Sequence, residues 1–425
     1  MSLLNKTLSL SHVCRTPLCA LLLLVTAHAA ALPTDESQVL TFSSDSEFTL
    51  STAQNGWDGT LYFSTDLKSW ATWNGKQISS SNGKLYLCGT GNTKITGDVD
   101  YNDYNDYKWS LSGSQGIACN GNIENLLDYE AVARGEHPYM ADGCYSYMFS
   151  DCTSLTSAPS LPATTLAGSC YSQMFSNCTG LTSAPSLPAT TLADFCYSDM
   201  FRGCTGLTSA PSLPATTLAG WCYSKMFSSC TGLTSAPSLP ATTLAKWCYR
   251  GMFAGCTSLT SAPSLPATTL AGGCYNWMFS GCTSLIISDK KTDDHPYEWR
   301  IPSVGDISEL PDGWNESMLS YTGGPFTSAP QANTTYYLAT APQTTSLPTL
   351  EAPAPSLIAT PNPAHGSVTI SGLPAGKVQV FDAAGRLVLS VQSDGSDSQT
   401  IDISGLAPGV HIVRAGSQSA RLMVM

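Results

Sequence analysis

Cys144, Cys170, Cys196, Cys222, Cys248 and Cys274 recur every 26 residues, and Cys152, Cys178, Cys204, Cys230, Cys256 and Cys282 keep the same period. Each copy reads Cys-Tyr-x-x-Met-Phe-x-x-Cys. The first five continue Thr-(Ser or Gly)-Leu-Thr-Ser-Ala-Pro-Ser-Leu-Pro-Ala-Thr-Thr-Leu-Ala. A unit this short cannot bury its own apolar face, so the copies must stack as coils and share one core. The period lies in the range of leucine-rich repeats, roughly 20–29 residues. The expected inward positions are Cys144, Met148, Phe149, Cys152, Leu155, Ala158, Leu161 and Leu166, with their equivalents. Each coil is expected to carry one helical turn or 3₁₀ segment around Tyr145–Ser150 and a short strand near Leu155–Ala158. Pro159 lacks an N–H and must end or interrupt that strand.

A stack needs closed ends. Residues 122–132 space Ile123, Leu126, Leu127 and Ala131 as a helix does, and are expected to close one end. At the other, Met318-Leu319 and Thr327-Ser328-Ala329-Pro330 echo the repeat without its cysteines, so 286–338 reads as the second cap. The solenoid with its caps spans 121–338, with the six repeats running from 144 to about 290.

The flanks have other compositions. Lys6 and Arg15, the short apolar run Leu18–Ala27 and small residues at 27–31 mark 1–31 as a secretory signal peptide. Residues 32–120 read as a β-sandwich. Gly59–Ser64, Trp70–Trp73 and Lys84–Cys88 carry strand patterns, with Asn-Gly turns at 74–75 and 82–83. Residues 339–357, with four prolines among Ala, Thr and Ser, form a linker. Residues 358–425 make a separate strand-rich unit.

Charge narrows the partners. The chain carries a formal net charge of -12, and loss of 1–31 removes two bases and no acid. Such a chain is repelled by nucleic acid and by anionic lipid, so neither is expected as a partner. No segment is apolar over the ~20 residues that a spanning helix needs.

Two resemblances follow. Phe149-x-x-Cys152-Thr-Ser-Leu155-Thr-Ser and its copies resemble the BspA-like leucine-rich-repeat surface proteins, over roughly 120–290. Met148 stands where that family usually has a small residue and Cys144 where an aliphatic one is usual. The period is also a few residues longer. The resemblance implies a cell-surface adhesin or interaction protein, with no catalytic residues to carry over. Pro361-Asn362-Pro363, Val378–Asp382, Gly385–Leu389, Ile401–Leu406, Gly409–Arg414 and Arg421–Met425 resemble the C-terminal sorting domain of type IX secretion substrates, although the sequence ends apolar rather than in a basic residue. His411 stands where a Tyr is common. This second resemblance implies export across the outer membrane through contact of 358–425 with the secretion machinery, then surface attachment or release. The fold expected is mainly β with short helical segments: a leucine-rich-repeat solenoid between an N-terminal β-sandwich and a C-terminal immunoglobulin-like sandwich.

The twelve repeat cysteines admit three readings. They are buried thiols, bridges within a coil (Cys144–Cys152, Cys170–Cys178 and so on), or bridges between neighbouring coils. A straight helical segment of eight residues spans ~12 Å, beyond the ~7 Å reach of a disulfide, so an intra-coil bridge requires a bend. Cys88 and Cys119 are candidates for a further bridge, export permitting oxidation. Zinc is not expected, because the spacing is not CxxC. Asp98, Asp100 and Asp103 offer oxygen ligands at nearly alternating positions for Ca²⁺. The central Gly and closing Glu of a calcium loop are missing, and a solvated loop is the other reading. His137, His295, His365 and His411 fall in no hydrolytic motif, so no enzyme activity and no cofactor are expected.

Differences among the copies mark the surface. The residue before the first cysteine is Gly143, Ser169, Phe195, Trp221, Trp247 and Gly273. Equal register puts Phe195, Trp221 and Trp247 in one file, and Tyr147 and Trp277 lie three residues into their coils. These five are the ligand-binding candidates, for sugar rings or a protein anchor. Alternatively, each ring simply packs on its neighbour. The chain is thus expected to act as a surface adhesion or interaction protein, its partner a host or bacterial surface protein or glycan. A second possibility is a carbohydrate-binding accessory of a glycan-uptake system, with 32–120 as the binder.

Overall fold

The computed structural model describes residues 32–96, 107–114, 116–343, 358–360, 364, 366–371, 377–382, 386–392, 398–415 and 418–424. Residues 1–31, expected to be a signal peptide, the acidic residues Asp98, Asp100 and Asp103, and most of the expected linker lie outside the described residues.

In the repeats, like sits above like. The rings of Tyr145, Tyr171, Tyr197, Tyr223, Tyr249 and Tyr275 form one file with centroids 5.7–5.9 Å apart. Phe149, Phe175, Phe201, Phe227, Phe253 and Phe279 form a second at the same spacing. Leu155, Leu181, Leu207, Leu233, Leu259 and Leu285 are all fully buried, as are the Met148 and Cys144 series. Ala158 and several of its equivalents are only half-buried.

At Tyr145–Ser150, where a helical turn or 3₁₀ segment is expected, the chain forms neither as a continuous element. Apolar residues at 144, 145, 148, 149 and 152 mimic helical spacing, but the backbone divides its donors between two directions. Ser146, Met148, Ser150 and Cys152 donate N–H to the carbonyl three residues back, at 2.9–3.2 Å. The intervening Tyr145, Tyr147, Phe149 and Asp151 donate instead to Cys170, Ser172, Met174 and Ser176 of the next coil, at 2.8–2.9 Å. The result is a run of overlapping turns, with φ positive at every fourth residue: Gly143, Tyr147 and Asp151 in the first coil. A turn with φ > 0 at its third residue normally demands Gly or Asn.

The strand expected near Leu155–Ala158 forms in the first coil, and Ile287–Ser288 makes a two-residue strand at the matching place in the sixth, where Asp289 stands instead of proline. In the coils between, that region makes at most isolated bridges, such as Ser235 with Ser261, because the equivalents of Pro159 remove a donor.

The segment before the repeats forms two sheets. The strands are β1 (Leu40–Ser43), β2 (Thr49–Thr52), β3 (Thr60–Ser64), β4 (Ala71–Trp73), β5 (Ile78–Ser79), β6 (Lys84–Thr90), β7 (Trp109–Ser112), β8 (Ile117–Asn120) and β9 (Leu155–Ser157). One sheet has the order β4-β3-β6-β1-β8-β9, the other β5-β2-β7. Asn82 and Gly83 both take positive φ, as a two-residue hairpin turn requires. Because β9 belongs to the first coil and pairs parallel to β8, the larger sheet runs directly into the stack. Ile95, Trp109 and Ile117 donate N–H to Cys144, Met148 and Ser154 of that coil at 2.7–2.9 Å. Both sheets and the coils contribute to one continuous core. Helix α1 (Asn125–Ala133), where the apolar spacing predicted one, packs against β6 and is broken at Asp128. The open carbonyls of coil one are met largely by strand-flanking backbone rather than by the helix.

After the sixth coil, β10 (Ile287–Ser288), β11 (Tyr297–Ile301) and β12 (Thr334–Leu338) form a sheet in the order β10-β12-β11. The degenerate copy is a seventh coil. Tyr275, Trp277, Phe279 and Gly281 donate to Trp314, Glu316, Met318 and Ser320. The ring files end edge-on. Phe149 meets Phe42 and Trp109 at one end, and Phe279 meets Trp299 at the other, with interplanar angles of 66–87°.

The last unit comprises β13 (Ile358–Thr360), β14 (Ser367–Ser371), β15 (Lys377–Asp382), β16 (Leu387–Gln392), β17 (Ser398–Asp402), β18 (Gly409–Ala415) and β19 (Gln418–Val424). They pair as β13-β14-β17 and β16-β15-β18-β19 around a separate core that includes Val368, Ile370, Val380, Val413 and Leu422. Among the described residues, no helix is long and apolar enough to cross a membrane.

Every described cysteine is buried and stands as a free thiol in the structure. Cys178, Cys204, Cys230, Cys256 and Cys282 each donate their S–H to the carbonyl of Phe149, Phe175, Phe201, Phe227 and Phe253 in the preceding coil, at 3.0 Å. Cys152 likewise donates to Trp109 at 3.2 Å. The partner series Cys144, Cys170, Cys196, Cys222, Cys248 and Cys274 is buried in a file of its own. Cys88 and Cys119 stand on β6 and β8, separated by β1, and belong to different apolar clusters. Two strand spacings come to roughly 9–10 Å, too far for a bridge. Burial pushes these thiols well up, with Cys88, Cys152, Cys204 and Cys256 at about 12. A thiol that stays protonated is a poor nucleophile.

Two outcomes follow for the purified chain. At pH 8 the folded protein leaves these thiols unmodified by iodoacetamide over minutes. In denaturant without reductant all fourteen cysteines of the described residues react, and a shortfall by pairs means bridges exist. Leu207→Ala lowers unfolding free energy by about 3 kcal/mol in chemical denaturation, whereas Thr205→Ala, exposed in the same coil, changes it by less than about 0.5 kcal/mol.

Candidate functional site

Variation among the coils concentrates in residues 142–151 and their equivalents, the stretch built of overlapping turns. The positive-φ positions form three files there. The first is Gly143, Ser169, Phe195, Trp221, Trp247 and Gly273. The second is Tyr147, Gln173, Asp199, Lys225, Gly251 and Trp277, and the third is Asp151, Asn177, Gly203, Ser229, Gly255 and Gly281. Glycine takes this conformation freely, while other residues pay roughly 1–2 kcal/mol each. Glycine occupies six of these eighteen places, which shows that the fold accepts it. Phe195, Trp221, Trp247 and Trp277 hold theirs against that cost.

Between the first two files runs a floor of Ser146, Ser172, Ser198 and Ser224. Ser146, Ser172 and Ser224 donate their hydroxyls to carbonyls of the next coil, those of Ser172, Ser198 and Arg250, at 3.2–3.3 Å, and Ser198 donates to the Asp199 carboxylate at 3.0 Å. Their donors are spent inside the fold, so what they present outward is lone pairs. Files and floor together enclose a groove of about 670 Å³ running along the stack from Asp142 to Arg250.

Phe195, Trp221 and Trp247 stack on one another, with centroids 5.5 and 5.3 Å apart. Phe195 is 40% exposed, whereas the two indoles are half-buried by their neighbours. The Arg250 guanidinium lies over Trp221, Trp247 and Trp277, nearest the last at 4.5 Å. Tyr147 lines the groove but is buried, its hydroxyl accepting from Gln173 Nε2. Trp277 is 42% exposed and lies beyond the groove, under Arg250. The structure thus gathers Phe195, Trp221 and Tyr147 along one groove and leaves Trp247 and Trp277 at its end.

Asp199 is the groove's buried acid. Burial raises its carboxyl above the ordinary value, against the opposing charge of Lys225, the Ser198 hydroxyl and the charges of Arg202 and Arg250. Asp142 and Asp194 serve the backbone: each accepts the N–H of the glycine one coil on, Gly168 and Gly220, at 2.8 Å. Sequence reasoning found the aromatic file but missed the serine floor. The floor is legible in the copies as a small residue always following Tyr, up to Arg250 and Asn276.

The described histidines have structural partners. Nδ1 of His137 lies 2.9 Å from the buried Glu124 carboxylate. His295 bonds Thr292, and His411, buried on β18, lies against the Gly409 carbonyl. Among the described residues, no cluster of three His, Cys, Asp or Glu side chains is placed to hold a metal ion.

Comparison with curated proteins and with solved structures finds no match for the chain. Its last part is different: residues 360–424, the strands β14–β19 with the last residue of β13, match the family described as the secretion system C-terminal sorting domain. The chain therefore ends in a type IX sorting domain, which marks it for export to the cell surface by that system.

Proposed function

We propose that the protein is a non-enzymatic surface adhesion or interaction protein. In this reading 121–338 is a leucine-rich-repeat solenoid of the BspA-like kind that serves as the contact platform, and 358–425 delivers it. The observation that carries the reading is the location of the differences. Coils nearly identical elsewhere diverge along one strip, and there large rings occupy backbone positions where glycine costs less. Strain of this kind persists at functional sites more often than elsewhere.

The rest of the coil surface is hydroxyl-rich and almost uncharged: only seven charged residues lie between 144 and 285. Such a face suits weak contacts multiplied along a repeat rather than one tight ionic ligand. The N-terminal sheets are the competing binder, in a glycan-uptake role.

The test uses the full exported chain on host cells or their surface extracts. Trp221→Ala with Trp247→Ala weakens adhesion at least tenfold, about 1.4 kcal/mol or more, while the melting transition of the core persists. Adhesion unchanged in the double variant means the ladder is packing alone and the platform reading falls. Removal of 358–425 keeps the chain inside the outer membrane, as cell fractionation reads it.

A further inference from the structure

The aromatic file is incomplete, and the gap has a shape. Phe195, Trp221 and Trp247 fill three consecutive places, and the next two toward the N-terminal end hold only Ser169 and Gly143. The rings lean the other way. A Cβ placed on Gly273 would lie 2.2 Å from the Trp247 ring, so that ring already covers the glycine's place. A Cβ on Gly143 would meet nothing within 4 Å. One face of Phe195 is therefore spent on Trp221, and the other looks onto open space above Ser169 and Gly143.

We infer that this slot binds a pyranose ring of a neutral glycan, seated on the free face of Phe195 as the next member of the stack. The inference rests on the platform reading and names its ligand class. An aromatic face takes the C–H face of a sugar, and the walls supply what the hydroxyls need. Ser146 and Ser172 have given their protons to carbonyls and can only accept. The Asp199 carboxylate accepts as well, and Gln173 offers an amide. A ligand rich in O–H donors satisfies such a floor. A polypeptide, which brings one acceptor for each donor along its backbone, satisfies it poorly. Asp142 and Asp199 flank the slot, while Lys225 and Arg250 stand further along. A uronate in the slot would face Asp142 and also Asp199, whose charge Lys225 and Arg202 only partly offset, so the ring is a neutral hexose or N-acetylhexosamine.

The fold itself supplies the blocking variant. Ser169 has φ of 53°, against 58° and 61° for Trp221 and Trp247 in the same file. Ser169→Trp therefore extends the ladder by one ring in a conformation the backbone already holds. A second variant, Gln173→Gly, copies the residue found at Gly251 and removes the amide wall. Both are made in the full chain, checked for an unchanged melting transition, and read on an array of immobilised neutral hexose and N-acetylhexosamine oligosaccharides. Calorimetry follows with the strongest binder.

The expected result is binding by the parent chain, at least tenfold weaker in Ser169→Trp and several-fold weaker in Gln173→Gly. A glycan bound equally by the parent and by Ser169→Trp overturns the slot. No oligosaccharide bound, with protein-mediated adhesion lost in Ser169→Trp, overturns the glycan and leaves the platform standing. Adhesion untouched both here and in the Trp221/Trp247 double variant removes the platform as well.

Discussion

Everything in the repeats depends on a division of backbone donors. In a helix each N–H bonds within its own turn, and the element is closed to its neighbours. Here alternate N–H groups leave the coil and end on carbonyls of the next one, while those between them hold the local turns. The outgoing bonds fix each coil to the next at an offset of one repeat. They force tyrosine above tyrosine and phenylalanine above phenylalanine. They also impose the positive φ at every fourth residue, and with it the three files that face outward. Core order and surface pattern come from one hydrogen-bonding rule.

That rule was only half legible in the sequence. The period and the burial of Met148, Phe149, Cys152 and Leu155 could be read, because a repeat announces which residues must be equivalent. The local conformation could not. Apolar residues at 144, 145, 148, 149 and 152 fit a helix in spacing, and nothing in one coil shows that half its donors bond elsewhere. Burial of Tyr145 is not legible in one copy, because a phenol ordinarily keeps its hydroxyl in water. In the first coil that hydroxyl instead reaches the carbonyl of Ile123 at 3.2 Å. The caps were legible as regions but not as devices. That Trp299 and Trp314 end the ring files edge-on depends on packing between segments 20–40 residues apart in sequence. At the groove, the aromatic file was visible as a column of letters. Which ring face stays open depends on the lean of the side chains, which no pattern of letters contains.

The same lean resolves a tension between packing and binding. A ladder in which each ring covers the next buries its own faces, and by itself argues for packing. But any finite ladder has two ends. At one, Trp247 closes over Gly273; at the other, the Phe195 face ends against small residues. Packing of Trp221 and Trp247 then acts as support, holding Phe195 at a fixed angle above a rigid floor. Preorganisation of this kind lowers the entropy cost of association. The two readings of the aromatic file thus describe different rings of one structure.

The thiols add a constraint from the compartment. An exported chain meets oxidising surroundings, and this one carries cysteines in identical contexts every 26 residues. While unfolded, any of them can pair with any other. Once the coils stack, each second-series thiol is committed to a carbonyl and buried, and its protonation removes the thiolate that disulfide chemistry requires. Stacking and oxidation therefore compete, and stacking has the advantage of contacts one repeat apart, which close quickly for a chain of this length. The cysteine suits the site because it is a small apolar residue with a weak donor. Serine would supply the donor but leave a more polar group in the core, and alanine would leave the Phe149-type carbonyl one partner short.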